Sequence, residues 1–281
     1  MPTKELSSHN KKDKNDKKNE NLSHHIHVLY TNICSLRNKV ANLEWEQQLL
    51  SNTVAICLAE THLGTEINSG ELGIKGFQLF RHDRNVYGGG VAMYVRKDIK
   101  SSVISLQSIS ESLLLRLVSH SFSLFVLVVY RPPANHDSLL IPFLFDEVNC
   151  IVGNRSLLIC GDFNLPHIDW TDFIITGNSK FGQPFLSKIA ELSYEQQIFS
   201  ATHNKGNILD LVFVNKPFIK DVTISAPVLS DHSVISIKLD MSCQNVEGDR
   251  DIKMYLYSKA NLEKGAAVFT KYEAAIINSV I

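Results

Sequence analysis

The sequence has no excess of charge of either sign. Its 28 lysines and arginines stand against 29 aspartates and glutamates, a formal net charge of -1. That balance excludes a chain whose whole surface attracts polyanions, so any nucleic-acid contact must come from a local patch. Cysteines are few: Cys34, Cys57, Cys150, Cys160 and Cys243, an odd number, scattered and with no C-x-x-C spacing. A disulfide framework or a cysteine-based zinc site is thereby disfavoured, and free thiols in a reducing compartment are expected. No apolar run is long enough to span a bilayer. The N-terminus lacks the apolar core of a signal peptide. The expectation is an intracellular protein, nuclear or cytoplasmic, neither secreted nor partnered with a membrane. Internal repeats are missing too, which excludes solenoids and propellers.

What is present divides into three parts. Residues 1–22, with "KKDKNDKKNE", are too polar to offset the entropy of ordering and are expected to be a disordered tail. Residues 23–240 carry short apolar runs at strand period, with a few amphipathic stretches between them. Residues 241–281 open on a linker-like stretch and are expected to begin a truncated C-terminal region. The predicted strands are "IHVLYTNI", "TVAICLAE", "FQLFRH", "GGVAMYVR", "SLLLRLVS", "SLFVLVVY", "SLLICGD", "ILDLVFVN", "DVTISAP" and "HSVISIKL". Helices are predicted over 38–51, 138–152 and 182–196. Many strands close in sequence, with helices interspersed, predict an α/β layered sandwich of two packed mixed sheets.

Several predicted strands end alike, an apolar run leading into a polar functional group. These ends carry Asn32, Glu60, Tyr130 with Arg131, and Asp162 with Asn164; Ser230, Asp231 and His232 stand at the entrance of the last strand. Taken singly, each has an ordinary reading as a turn, cap or strand-edge residue. Asp210 lies between Leu209 and Leu211 inside a strand; if both faces are covered it needs a partner, and a histidine would serve.

Together the set is chemically coherent. Glu60, Asp231 and Asn32 offer hard oxygen donors suited to Mg²⁺ or Mn²⁺. Asp162 can orient or deprotonate water, and in an extended segment Asn164 points to the same side. His232, oriented by Asp210, can donate to a phosphoryl oxygen, with Tyr130 at the phosphate or the leaving oxygen. That is the equipment of metal-assisted phosphodiester hydrolysis. The run "RNVYGGGVAMYV" reads either as a flexible turn or as a close backbone approach beside a DNA-contacting loop. In the second reading Arg81, Arg84 and Arg131 supply phosphate-binding charge.

These residues carry a resemblance. "YTNICSLRNKV", "LAETHL", "VYRPP", "GDFN", "ILDLVF" and "SDHSVISI", in that order, resemble the motifs of the endonuclease/exonuclease/phosphatase superfamily, whose fold is the DNase I-like four-layered sandwich. Within it, "RHDRNVYGGGVAMYVRKDI", "YRPP", "NKGNILDLVFVN" and "VLSDHSVI" are similar to the apurinic/apyrimidinic-like endonuclease domain of non-LTR retrotransposons. The resemblance implies a Mg²⁺-dependent endonuclease that nicks target DNA and exposes a 3′-OH for reverse transcription. It implies Asn32, Glu60 and Asp231 around the metal, Asp162 and Asn164 at the attacking water, and Asp210 with His232 at the scissile phosphate. Tyr130 would stand nearby, with Ser230 and Thr202 as phosphate contacts. A phosphatase of the same fold acting on phosphoinositides or nucleotides, or an inactive retrotransposon-derived remnant, are the alternatives.

Overall fold

Apolar residues at every second position build two sheets whose inner faces seal one another. The computed structural model describes residues 25–43, 52–108, 110–134, 137–177 and 179–242. The expected tail and C-terminal region, apart from 241–242, lie outside the described residues.

Sheet 1 contains β1 (His25–Asn32), β2 (Thr53–Ala59), β3 (Phe77–His82), β4 (Val91–Arg96), β13 (Ile219–Ile224) and β14 (Ile235–Asp240), in the order β13-β14-β1-β2-β4-β3. Sheet 2 contains β5 (Lys100–Ile104), β6 (Glu111–Val118), β7 (Ser123–Tyr130), β8 (Leu157–Asp162), β11 (Glu195–Gln196) and β12 (Asp210–Val214), in the order β11-β12-β8-β7-β6-β5. A short ribbon, β9 (Ile168–Asp169) with β10 (Ile174–Ile175), stands apart. All ten predicted strands are present. The short β9, β10 and β11 and the polar edge strand β5 are additional.

Each sheet has one parallel pair at its centre, and every other pairing within it is antiparallel. In sheet 1, β1 runs beside β2 with Asn32 opposite Ala59; in sheet 2, β7 runs beside β8 with Tyr130 opposite Asp162. Parallel neighbours need a crossover. In sheet 2 that crossover is α1 (Leu140–Val152), whose buried Ile141, Leu144, Phe145, Val148 and Val152 form one stripe at helical spacing. The helix predicted over 182–196 is observed as α2 (Gly182–Glu191). It stops short because Ser193 takes a positive φ of 54°, and the following residues pair with β12 instead. Of the helix predicted over 38–51, residues 40–43 are helical, and 44–51 lie outside the described residues.

Between the sheets lies one core. Val28 and Tyr30, Cys57 and Ala59, Val126, Val128 and Tyr130, Leu158 and Cys160, and Val212 and Val214 are its inward columns. The outer face of sheet 2 packs an aromatic group, including Phe145, Phe163, Phe185 and Phe213, under α1 and α2. The outer face of sheet 1 packs Leu29, Ile56, Leu58 and Tyr94 under Leu36, Leu63 and Leu72. The result is the expected four-layered α/β sandwich. No helix among the described residues is long and apolar enough to cross a membrane.

Candidate active site

In a parallel pair both strands finish at the same edge, so the carboxyl ends of β1, β2, β7 and β8 meet at one mouth of the sandwich. Period-two alternation then decides which side chains face inward. Asn32 is the last member of the β1 column that includes Val28 and Tyr30. Tyr130 closes the column of Val126 and Val128, and Asp162 that of Leu158 and Cys160. Asp210, antiparallel and directly opposite Asp162, opens the column of Val212 and Val214. A polar residue at the end of an inward apolar column has nowhere to go but the cleft between the sheets.

Glu60 departs from that rule. Ala59 already faces inward, so continued alternation would aim Glu60 outward. Instead Glu60 adopts φ 50°, a left-handed conformation that costs a non-glycine residue about 1–3 kcal/mol. Its carboxylate accepts a hydrogen bond from the Asn32 amide at 3.1 Å and one from His62 at 3.1 Å.

Polar ties cross between the sheets at this mouth. The Asn32 amide donates to Asp162 Oδ2 at 2.9 Å. Tyr30 donates its hydroxyl to Asp210 Oδ1 at 2.9 Å, and His232 Nδ1 donates to Asp210 Oδ2 at 2.7 Å. Asp210 is fully buried, so both oxygens need these partners. Burial first, and then the Glu60 charge, hold the Tyr130 hydroxyl protonated above the usual tyrosine range. With Asn32 Nδ2 also 3.5 Å from His232 Nε2, Asn32, Glu60, Asp162, Asp210 and His232 form one connected group drawn from both sheets.

The remaining predicted residues occupy other places. Asp231 is half-exposed, and its Oδ2 accepts from His203 Nε2 at 3.2 Å rather than facing Asn32 and Glu60. Asn164 does not continue an extended segment: β8 ends at Asp162, and Asn164 has φ 50°. Its backbone N–H caps Asp162 Oδ1 at 3.0 Å, while its side-chain amide donates to the Arg131 carbonyl at 2.9 Å. Ser230 accepts from the His232 N–H at 3.0 Å and donates to the Asn32 carbonyl at 2.6 Å. Thr202 is buried and accepts from the backbone N–H groups of Leu209 and Asp210, at 3.1 and 3.0 Å, which anchors the start of β12.

The arginines expected to present free charge are engaged within the chain. Arg131 is buried; it donates to the carbonyls of Phe163 and Asn164 and stacks on Phe181 at 4.2 Å. Arg84 pairs with Glu111 at 2.9 Å and lies 5.8 Å from the Tyr130 ring. Arg81 pairs with Asp83 at 2.9 Å. The glycine run makes a close approach, as one of its two readings held, but the approach is to the Glu60 segment. A Cβ on Gly90 would stand 2.8 Å from the Thr61 hydroxyl, and Gly90 and Gly89 accept from the Thr61 and His62 N–H groups. Trp170, after "GDFN", is packed inside rather than displayed.

The electrostatics are those of a cation site. Burial first, and then the charge of Asp210, raise the Asp162 carboxyl well above the usual carboxylate range. With Asp210 and Glu60 in the same mouth, a divalent cation would favour the ionised form of Asp162. Burial lowers the pKa of His232, but the Asp210 hydrogen bond and the charges of Asp210, Asp162 and Asp231 outweigh it and hold the imidazole at about 9. The donor set fits a hard divalent ion.

Sequence reasoning missed Tyr30, His62 and His203. Tyr30 sits inside an apolar strand and reads as core; its one signal is parity with Asn32. His62, two residues after Glu60, and His203, bridged to the strand entrance at His232, carried no apolar run to mark them.

Known proteins share the fold. The model of the endonuclease/exonuclease/phosphatase family matches residues 23–232. The endonuclease domain of TRAS1, a telomere-specific non-LTR retrotransposon, superposes with TM-score 0.59 at 14% identity, covering 78% of this chain and 99% of that one. An AP endonuclease from Archaeoglobus fulgidus gives TM-score 0.58 at 14% identity, over 76% of this chain and 99% of that one. The 3′ phosphatase NExo from Neisseria, bound to a product DNA hairpin, gives 0.58 at 16% identity, over 76% and 99%. No curated protein sequence matches the chain. By the span of its family match, with a fold these structures share, the chain belongs to the endonuclease/exonuclease/phosphatase family of hydrolytic, divalent-metal-dependent nucleases and phosphatases.

Proposed function

We propose that the chain is a Mg²⁺- or Mn²⁺-dependent DNA endonuclease, of the kind that nicks target DNA for retrotransposon insertion. One observation carries the reading: inward columns of both sheets end in a single group of carboxylates, amide and imidazole tied across the cleft. The likeness to the TRAS1 endonuclease domain and to structures of DNA-processing enzymes supports DNA as the partner.

In this reading Glu60 would hold the cation with Asn32, through the oxygen that accepts from the Cys34 N–H, and with Asp231, whose carboxylate is paired with His203. When bound, the ion polarises a phosphoryl oxygen and offsets the charge developing on the phosphate. Asp162, steadied by the Asn32 amide and the Asn164 N–H, accepts the proton of the attacking water. His232, with its Nδ1–H held by Asp210 and its pKa raised to about 9, carries a proton on Nε2 as well, and from there donates to a non-bridging phosphate oxygen. Tyr130 stands on the side of the leaving oxygen. Asn164, Ser230, Thr202 and Arg131 act through the backbone they hold, positioning Asp162, His232 and Asp210.

The test is nicking of supercoiled plasmid with Mg²⁺ by the wild type, Asp162→Ala and His232→Ala. The wild type is expected to nick, and each variant to lose about 10²–10⁴-fold. Equal nicking by all three removes the assignment. Phosphate release from inositol phosphates or nucleotides, without plasmid nicking, moves the chain to the phosphatase reading.

A further inference from the structure

Beside the hard-oxygen mouth, two softer ligands that the proposed reaction does not use, Cys34 and His62, stand against Glu60. Cys34, Glu60 and His62 each bring one ligand atom, and the three lie within 4.8 Å of one another. They sit on two segments, 33–36 and 59–62, zipped together past the ends of β1 and β2. The N–H groups of Ile33, Ser35 and Leu36 donate to the carbonyls of Ala59, Glu60 and Thr61. The His62 N–H is in turn held by Gly89. All three ligand residues have positive φ, 44° at Cys34, 50° at Glu60 and 52° at His62, so the backbone itself turns these side chains together. Cys34 is exposed, and His62 and Glu60 are part-buried, so the cluster is open to solvent.

The geometry points to a site here for a thiophilic divalent cation of the zinc class, held by Cys34, Glu60 and His62, whose occupation takes Glu60 away from the hard cation. A thiolate, an imidazole and a carboxylate with one open position match the ligand preferences of zinc, with bonds of about 2.0–2.3 Å. The Cys34 thiol loses its proton to solvent. On binding, His62 gives up its Nε2 proton and keeps one on Nδ1, so the Nε2 lone pair faces the metal and the 3.1 Å His62–Glu60 hydrogen bond is replaced by two bonds to one ion. Among the other described cysteines, Cys57 and Cys160 are buried, and Cys150 joins no such cluster among the described residues. The binding site stands on geometry alone; its effect on cleavage rests on the role proposed for Glu60.

Co²⁺ serves as the probe, because a bound thiolate gives it a sulfur-to-metal charge-transfer band in the near ultraviolet. The metal-free full chain is titrated with Co²⁺, then with Zn²⁺. The wild type is expected to show the band and lose it to Zn²⁺. Cys34→Ser is expected to lack it while keeping the wild-type circular dichroism. His62→Gln is expected to weaken Co²⁺ binding by more than about tenfold, the lower end of what even an outer-shell partner contributes. Absence of the band in the wild type, or its survival in Cys34→Ser, overturns the site. A second arm follows plasmid nicking in Mg²⁺ with rising Zn²⁺, each protein normalised to its own zinc-free rate. Wild type is expected to be inhibited near its Zn²⁺ dissociation constant, and Cys34→Ser to need at least tenfold more zinc; equal inhibition overturns the link to Glu60. A chain that shows the band but never nicks keeps this site and loses the endonuclease reading. A chain that nicks without the band does the reverse.

Discussion

Sheet 1 and sheet 2 are built alike yet contribute different chemistry. Each carries one central parallel pair, and each sends that pair's shared carboxyl edge to the same mouth. Sheet 1 delivers Asn32, buried at the end of a regular inward column, and Glu60, part-exposed on backbone of left-handed φ that recurs at Cys34, Ser35 and His62. Sheet 2 delivers Asp162, Asp210 and Tyr130, buried, at the ends of regular inward columns. The contrast teaches a division of labour. In the proposed reaction, the acid that would meet an ion from solvent, Glu60, sits on re-aimed, open backbone. The groups that would hold or move a proton sit in a dry, regular interior, where neighbouring charges act strongly.

The sharpest way to break the comparison is to neutralise one acid on each side. Asp162→Asn is expected to lower nicking by about 10²–10⁴-fold at every Mg²⁺ concentration, since it removes a proton acceptor. Glu60→Gln is expected to lower nicking too, but with partial recovery at higher Mg²⁺. A Mg²⁺ titration of the two variants separates them; identical curves would erase the distinction between the sides.

Next come packing and backbone. Sheet 1 has Ala59 directly before Glu60, whereas sheet 2 has Gly161 directly before Asp162. A Cβ on Gly161 would collide with the Val129 carbonyl of the neighbouring strand. Gly161→Ala is expected to cost about 1–3 kcal/mol in urea unfolding, as overpacking does. Ala59→Gly costs less, about 0.5–1 kcal/mol, from chain entropy.

The threonines sharpen the same contrast. Thr202 satisfies two buried N–H groups, and Thr202→Ala is expected to cost about 1–3 kcal/mol. Thr31 in sheet 1 shares its hydroxyl proton between the Ser233 carbonyl at 3.1 Å and the Asn32 carbonyl at 3.3 Å, and Thr31→Ala is expected to cost about 0.5–1.5 kcal/mol.

A further contrast is the pH dependence of the metal-free protein. His232 is raised to about 9 in the fold. Its contribution to stability is complete below the unfolded histidine value of about 6.5 and is lost as pH rises through about 9. Denaturation in EDTA between these pH values should show that loss in the wild type and a flatter profile in Asp210→Asn.

The two sheets also differ in how far they could be read in advance. The central strands β1, β2, β4, β7, β8 and β12 announced themselves because both their faces are covered, which leaves apolar runs. β5 escaped because "KSSVI" is an edge strand with polar residues, and β9, β10 and β11 are too short to show a period. Asn32, Tyr130, Asp162 and Asp210 were legible as polar interruptions of apolar columns. Glu60 was legible as well, though its inward aim depends on a φ that no residue pattern dictates. Tyr30 was invisible, since a tyrosine within "IHVLYTN" looks like any core aromatic. The arginines were misjudged for the opposite reason: whether a guanidinium meets solvent or a carbonyl of a distant loop is settled only by tertiary packing.

The hydrogen bonds that bridge the cleft make the reaction centre a gauge of the layer beneath it. A hydrogen bond such as Asn32 to Asp162 tolerates only a few tenths of an ångström of slippage, while its two ends hang from different sheets. A cavity carved deep among Val126, Val128, Leu158 and Val212 would let the sheets settle and pull those ends apart. Catalysis should then fade in a protein that is still folded.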